Sequence, residues 1–99
     1  MPFTFAPQPG RQILKLEGKV TVAHAQNLAA ELRDSLDERT PVEVDTEGLE
    51  DIDTAILQLL CALRKTAPAL AFPRPSEMFL GAADRCGLRR ELLGGSEAW

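Results

Sequence analysis

The sequence predicts a single α/β domain with a mostly parallel, mixed β-sheet backed by α-helices. Strand-like and helix-like segments alternate three times along the chain, as they do where helical crossovers join parallel strands. The 99 residues suffice for one domain with one modest core. The composition, 44% hydrophobic and 26% charged, is that of an ordinary folded domain. We expect one domain over residues 1–99, with its core at about 12–93.

The first strand and helix are predicted between residues 12 and 36. Polar and apolar side chains alternate over Gln12–Glu17, which favours a strand, and Gly18 is expected to end it. From Val22 to Leu36 apolar residues recur at helical spacing, and Thr21 stands at the N-cap position. The stripe of this helix consists of Ala25, Leu28, Ala29, Leu32 and Leu36.

The second strand and helix carry the least ordinary pattern. The segment VEVD, residues 42–45, predicts a strand, and residues 46–53 predict a turn in which Gly48 adopts a positive φ. The helix predicted over Thr54–Thr66 is apolar nearly all the way round. Such a helix is either enclosed within its own domain or offers one face to a partner.

The third strand is predicted in the segment ALAF, residues 69–72. Ser76 can cap a further helix, and Gly87 is its natural C-terminal stop. Residues 88–93 predict one last apolar turn, and residues 94–99 a flexible tail.

Charge and composition exclude several classes of function. The net charge of −4 argues against binding to nucleic acid, which needs clustered Lys and Arg. No stretch approaches the roughly 18 apolar residues of a membrane span, and the first ten residues do not resemble a signal peptide. We expect Cys61 and Cys86 to be buried, reduced thiols in a cytoplasmic protein, since a disulfide would require an oxidising compartment.

Residues that support enzymatic or metal chemistry are not recognisable in this sequence. The one histidine, His24, has no ligand partner at a suitable spacing, and we expect it to be a surface or half-buried residue. Six carboxylates lie between residues 43 and 53, but a calcium loop that starts at Asp45 would have Glu50 in place of Gly and Ile56 in place of the bidentate Glu. We therefore predict no enzyme activity, no cofactor and no metal site.

The junction Asp53-Thr54 allows two interpretations. Either side chain can cap the helix, which contributes about 0.5–2 kcal/mol. Alternatively, Thr54 is a phosphate acceptor at the N-terminal end of the helix. The partial positive charge of that end stabilises a nearby negative charge by about 0.3–1 kcal/mol. A phosphate beside Glu50, Asp51 and Asp53 would be repelled by roughly 1 kcal/mol per close pair even in water. It would therefore act by expelling a docked partner rather than by tightening the domain.

The run PVEVDTEGLEDIDTAILQLLCAL resembles the central signature of STAS domains, named for sulfate transporters and anti-sigma factor antagonists. In that signature a strand ends in Asp, a short turn contains Gly, and Asp-Ser/Thr-Ser/Ala-Gly-Leu opens an apolar helix. The upstream ILKLEG and the downstream PRPSEMFLGAADRCGL are similar to the first strand and the final helix of the family. The residues that match the central signature are Asp45, Gly48, Asp53, Thr54, Ala55 and Leu57.

The resemblance implies a small regulatory domain that binds a protein partner. In anti-sigma factor antagonists the hydroxyl after the Asp is phosphorylated by a serine/threonine kinase of the histidine-kinase-like ATPase superfamily, which itself restrains a sigma factor. Carried over, the acceptor is Thr54, and Asp53, Asp45 and Thr21 are supporting residues. The resemblance also implies a docking face on the helix that follows Thr54, with Ala55, Ile56, Leu57, Leu60 and Cys61 as the contact residues.

The resemblance to STAS domains does not decide in which pathway this protein acts. Some serve beside chemotaxis systems, and one is an accessory subunit that binds the ATPase of an ABC transporter for phospholipids. Because no membrane segment is present in this sequence, we do not expect a membrane-embedded sulfate transporter.

Two residues depart from the family pattern: Ile56 replaces a usual Gly, and Thr21 replaces a usual Asp. The segment RKTAPALAFPRPS, residues 64–76, is also about three residues shorter than the family pattern between the helix that follows Thr54 and the last strand.

Overall fold

A computed structural model describes residues 3–37, 39–66 and 69–93. The predicted alternation of strands and helices is present, with one additional strand before it and one short helix after it, which makes four strands and four helices in the described residues. The predicted tail at residues 94–99 lies outside the described residues. The elements are β1 (Phe3–Gln8), β2 (Arg11–Val20), α1 (Ala25–Ser35) preceded by a 3-10 turn (Val22–His24), β3 (Val42–Ile52), α2 (Thr54–Thr66), β4 (Leu70–Ala71), α3 (Glu77–Arg85) and α4 (Arg89–Leu93).

The four strands form one mixed sheet in the order β1-β2-β3-β4. β2 pairs with β3 and β3 with β4 in parallel, which confirms the predicted parallel sheet. β1 pairs with β2 antiparallel, with Phe3 opposite Leu16. The sequence analysis did not predict β1, because Pro7 interrupts its alternation of polar and apolar residues.

β3 is much longer than predicted. Residues 46–52 continue the strand, so the predicted turn is wrong, and Gly48 pairs with Glu17 without a positive φ. β2 also continues beyond Gly18, which adopts a φ of +66° beside one of two register shifts between the strands. These shifts let β3 keep its pairing while it accommodates extra residues.

The core lies against one face of the sheet. Along β2 the side chains of Leu14, Leu16 and Val20 are fully buried, whereas Lys15 and Glu17 between them are exposed. The same alternation begins β3, with Val42, Val44 and Thr46 buried. Helices therefore cover one face, and the opposite face is open and charged.

The ends of α3 confirm two sequence predictions. The hydroxyl of Ser76 accepts a hydrogen bond from the N–H of Phe79 at 3.2 Å, so Ser76 is the N-cap. Gly87 follows the helix with a φ of +70°, and its N–H donates to the carbonyl of Asp84. Leu88 N–H donates to the carbonyl of Ala83 at 2.8 Å, which completes a Schellman motif.

A buried glutamine fixes the loop between α1 and β3. The side-chain N–H groups of Gln12 donate to the carbonyls of Asp37 and Thr40, and its Oε1 accepts from Asp37 N–H at 2.9 Å. Gln12 is a polar side chain with all its buried atoms satisfied, so the loop is held to β2. In the described part of the chain, every helix is too short or too polar to cross a membrane.

Candidate functional site

Thr54 is the first residue of α2 and its side chain is exposed. The carbonyl of Asp53 accepts the first helical hydrogen bonds, from Ile56 N–H at 3.0 Å and Leu57 N–H at 3.2 Å. α2 therefore begins directly at the end of β3, and the Thr54 hydroxyl lies at the edge of the sheet where parallel strands terminate.

Asp53 joins the ends of β2 and β3. Its backbone N–H donates to the carbonyl of Val20 at 3.1 Å. Its carboxylate Oδ2 accepts from the N–H of Val22 at 2.7 Å, a short charge-assisted hydrogen bond. This oxygen therefore holds the turn after β2. Capping of α2 by the Asp53 side chain was part of one of the two sequence-based interpretations, and this hydrogen bond goes to a different element.

Thr21 lies in the turn that Asp53 holds. Its N–H donates to Nδ1 of His24 at 3.1 Å, and the N–H of His24 donates back to the Thr21 carbonyl at 2.8 Å. The Thr21 hydroxyl is 3.4 Å from the same ring nitrogen. His24 is half-buried, as predicted, and it closes this turn.

Cys86 brings α3 to the site. It is the C-cap residue of α3, and its Sγ lies 3.3 Å from the Oγ1 of Thr54. The prediction that both cysteines are buried is wrong for Cys86, which is exposed, while Cys61 is partly buried. Burial raises the pKa of the Cys61 thiol, and the charge of Glu91 raises it further. Thr54 and Cys86 are 32 positions apart in the chain, and no pattern in the sequence indicated their contact.

Asp45 is remote from Thr54. It pairs with Lys15 on the open face of the sheet, while Ile52 pairs with Val20. The five residue steps from Lys15 to Val20 correspond to about 17 Å along the strand. The carboxylate of Asp45 accepts from Glu47 N–H at 2.9 Å, so it stabilises its own strand. The structure brings Asp53 and Thr21 together near Thr54, but not Asp45.

The predicted contact face of α2 requires correction. The side chains of Ile56, Leu57 and Leu60 have 0% exposure and form part of the core. A partner cannot reach them in the folded domain, because they pack against the sheet. Ala55 and Cys61 are half-exposed, and the outer side of α2 is formed by Thr54, Gln58, Ala62 and Lys65.

Val22 is a candidate contact residue that the sequence analysis missed. Its side chain is 64% exposed, the one large apolar side chain in the exposed class within residues 3–37, 39–66 and 69–93. It directly follows Thr21, and its N–H is bound by Asp53. The sequence analysis placed Val22 at the start of the predicted helix but outside its apolar stripe, which began at Ala25. An apolar residue outside the stripe was the signal that Val22 would be exposed.

The acidic segment before Thr54 is a solvated rim. Glu50 and Asp51 are exposed at the end of β3. Within residues 3–37, 39–66 and 69–93, no group of three His, Cys, Asp or Glu side chains is arranged to hold a metal ion. The arrangement offers an exposed hydroxyl, a half-exposed carboxylate and small apolar surface, which are the elements of a protein-docking site.

Comparisons with known proteins agree with this geometry. The family model described as "Mlab, STAS domain" matches residues 3–94. No curated protein matches the sequence. The crystal structure of a sulfate transporter family protein from Wolinella succinogenes is similar, with a TM-score of 0.64, 19% identity, and coverage of 90% of this chain and 75% of that chain.

A second similar structure is a crystal structure of a protein named Mglu. It has a TM-score of 0.61 and 18% identity over 76% of this chain. The match spans only 20% of the length of that protein. At these identities both structures show the fold alone.

Proposed function

Because this chain belongs to the STAS domain family, we propose that it is a regulatory binding protein of the anti-sigma-factor-antagonist kind, switched by phosphorylation of Thr54. STAS domains are protein-interaction modules, and the family gives the coarse function. The finer proposal concerns the acceptor residue and the partner, a serine/threonine kinase of the histidine-kinase-like ATPase superfamily. Such a partner acts in sigma factor control or in chemotaxis-type signalling in the cytoplasm.

One observation carries the proposal: an exposed hydroxyl at the first residue of α2, next to a carboxylate that braces the adjoining turn. Thr54 is open to solvent, and Asp53 ties the turn of Val22 to the same edge of the sheet. A kinase can therefore reach Oγ1 while it contacts Val22 and the outer side of α2. A rigid, exposed acceptor presented by secondary structure suits transfer from bound ATP.

Phosphorylation would change the charge of this surface. Thr54 Oγ1 would bond to the γ-phosphorus of ATP, the bond to the β-phosphate oxygen would break, the hydroxyl proton would pass to a base of the kinase, and ADP would leave. The product carries about −1.5 to −2 charge beside Asp53. Repulsion of roughly 1 kcal/mol per close pair exceeds or cancels the gain of about 0.3–1 kcal/mol from the helix end. The modified surface would therefore release a partner that tolerates only the neutral hydroxyl.

The experiment is phosphoryl transfer from labelled ATP by the candidate kinases encoded in the same genome. We expect label on Thr54, absent in Thr54→Ala and retained in Thr66→Ala, whose exposed threonine lies at the other end of α2. Absence of label on Thr54 with every candidate kinase would remove the phosphorylation claim.

The contact between Thr54 and Cys86 is also compatible with a second candidate function, in which Thr54 is not modified. Because the Thr54 hydroxyl is already 3.3 Å from Cys86 Sγ, it can serve as a static part of an interface. The domain would then be an accessory subunit that braces the ATPase of an ABC transporter for phospholipids. This function predicts constitutive capture of the ATPase, weakened by both Thr54→Ala and Thr54→Glu. An intact complex with Thr54→Ala would show that this hydroxyl is not needed in the interface.

A further inference from the structure

A histidine side chain closes the turn at residues 21–24, just before α1. In a capping box, a Ser or Thr at the N-cap is followed three residues later by a Glu or Gln, whose side chain accepts from the N-cap N–H. Thr21 is the N-cap of this turn, and His24 stands where the Glu or Gln would be. Nδ1 of His24 accepts from the Thr21 N–H at 3.1 Å. A ring nitrogen that can take up a proton therefore does the work of the usual oxygen.

This hydrogen bond fixes where the ring carries its proton. Because Nδ1 is the acceptor, the neutral ring of His24 has its proton on Nε2. A protonated ring has an N–H at both nitrogens, so Nδ1 would then face the Thr21 N–H as a second donor. It could donate only to the Thr21 hydroxyl, which is 3.4 Å away. The neutral and the charged ring therefore favour two different arrangements of the same pair of residues.

We propose that residues 21–24 form a pH-sensitive switch, closed while His24 is neutral and open when its ring is protonated. Thr21 is half-buried, so the loss of the acceptor of its N–H is unfavourable. Because the closed turn requires the ring without its second proton, rising pH favours the closed form and falling pH the open form. Histidine suits this role, since its charge ordinarily changes between about pH 5 and about pH 8, and the chain has one histidine.

Opening of this turn would act on the candidate functional site. Val22 lies inside the turn with its side chain 64% exposed. Its N–H is held at 2.7 Å by the carboxylate of Asp53, the residue that directly precedes Thr54. A change in the turn therefore changes the surface that a partner meets beside Thr54. The proposal concerns the unmodified chain, so it does not rest on the proposed function.

Two nearby charges act on the ring in opposite directions. His24 is the N-cap residue of α1, and the partial positive charge of a helix N-terminus opposes a cation there. Asp53 is hydrogen-bonded to the turn through Val22, and its negative charge attracts a protonated ring. These two effects together set the pH at which the turn opens.

The other charged groups on the neighbouring elements lie farther along each element. The first ones are Lys19 of β2 with Asp51 opposite it on β3, Glu31 of α1 and Arg64 of α2. Glu31 is seven residues beyond His24, about 10 Å along the helix. Arg64 is in the last turn of α2, at the end remote from Thr54. The protonation of His24 is therefore the charge change that bears directly on the Thr21 N–H.

NMR spectroscopy of the ¹⁵N-labelled chain between about pH 5 and about pH 8 tests the proposal. The single histidine makes the ring signals unambiguous. We expect long-range ¹H–¹⁵N spectra at the high end of this range to show the ring proton on Nε2. The amide signals of Thr21 and Val22 should shift with the same midpoint as the ring signals. The amide of Leu28, a fully buried residue of α1, should not follow that midpoint.

Hydrogen exchange measures the opening itself. After correction for the intrinsic pH dependence of exchange, the Thr21 amide should be about fivefold or more better protected above the midpoint of the ring than below it, the ratio that corresponds to one hydrogen bond.

Two variants should hold the turn in one state across the whole range. His24→Gln supplies the side-chain oxygen of an ordinary capping box and should keep Thr21 protected at every pH. His24→Lys has a cation and no acceptor, so it should leave Thr21 poorly protected at every pH. Gln26→Lys is the matched control, since it adds the same charge at an exposed position of the first turn of α1 and should retain the pH dependence. Circular dichroism checks that every variant is folded.

Three outcomes would overturn the proposal. The first is a neutral ring that carries its proton on Nδ1. The second is equal protection of Thr21 on both sides of the ring titration. The third is a His24→Gln chain that keeps the pH dependence of the native chain. Each is measured on the chain alone, so failure of this proposal is distinct from failure of phosphorylation at Thr54.

Discussion

Thr54 Oγ1 lies 3.3 Å from Cys86 Sγ, so the start of α2 meets the end of α3 at the candidate acceptor. The contact joins residues that are 32 positions apart in the chain. Any group attached to the Cys86 sulfur would therefore lie beside the Thr54 hydroxyl. The two cysteines of the chain differ in burial, which makes their reactivity a direct test of this geometry.

Cys86 is expected to react with N-ethylmaleimide faster than Cys61. Cys86 is exposed, whereas burial and the charge of Glu91 raise the pKa of Cys61, so less of the Cys61 thiolate is present at neutral pH. Peptide mass spectrometry over a time course gives both rates. Glu91→Gln should speed the labelling of Cys61 and leave that of Cys86 unchanged. Equal rates for the two cysteines in the folded chain would contradict the described placement.

Asp53→Ala is expected to lower the free energy of unfolding by about 1–2 kcal/mol, since it removes the acceptor of the Val22 N–H. Asp53→Asn, which keeps an acceptor oxygen without the charge, should cost less. Urea denaturation measures both variants. Glu50→Gln, at an exposed carboxylate of the same rim, is the control and should stay within about 0.5 kcal/mol of the native chain. An equal loss in all three variants would show that the carboxylate of Asp53 has no structural role of its own.

Ile56→Gly introduces the residue that STAS domains usually carry here, and it is expected to destabilise this chain by about 3 kcal/mol or more. The Ile56 side chain is fully buried, so its removal leaves a cavity, and glycine weakens the helix by about 1 kcal/mol. Ala62→Gly, at an exposed position of α2, is the control that introduces glycine into the helix without leaving a cavity. It should lower the free energy of unfolding by only about 1 kcal/mol. If the two variants were equally stable, Ile56 would not belong to the core.

Gln12→Leu is expected to cost about 2 kcal/mol or more. The change leaves the Asp37 N–H and the carbonyls of Asp37 and Thr40 without the partners that the amide supplies. Chemical denaturation measures the loss, and hydrogen exchange of the 37–40 loop should accelerate. Gln8→Leu, at an exposed position of β1, is the matched control. Unchanged exchange in the loop would show that Gln12 does not hold it.

The contribution of Asp37 to stability is expected to disappear in acid. The backbone N–H of Arg39 and the hydroxyl of Thr40 hold the pKa of Asp37 below its ordinary value of 3.8. A carboxyl with a lowered folded-state pKa stabilises the fold above its unfolded-state pKa, about 3.9, and loses that contribution as the pH falls through the folded-state pKa. Urea midpoints from pH about 5 to about 2 should therefore fall more steeply in the native chain than in Asp37→Asn. Thr40→Val should reduce the difference in part, and parallel curves for all three chains would contradict the prediction.

Local patterns in the sequence determined the type and order of most elements. Alternation of polar and apolar residues indicated β2, and helical spacing indicated α1 and α2. The chemistry of Ser76 and Gly87 marked the ends of α3, because caps and left-handed stops depend on one residue each. The same patterns, together with the signature around Asp53 and Thr54, were enough to identify the family.

Tertiary structure alone decided which surfaces face outward and which distant residues meet. The segment 46–52 contains residues typical of turns, yet pairing with β2 keeps it extended as part of β3. α2 is apolar nearly all round, so only packing against the sheet determines that Ile56, Leu57 and Leu60 are buried while Ala62 is exposed. The Thr54–Cys86 contact and the exposure of Val22 likewise depend on how helices and strand ends are assembled, since no local pattern encodes distances across the chain.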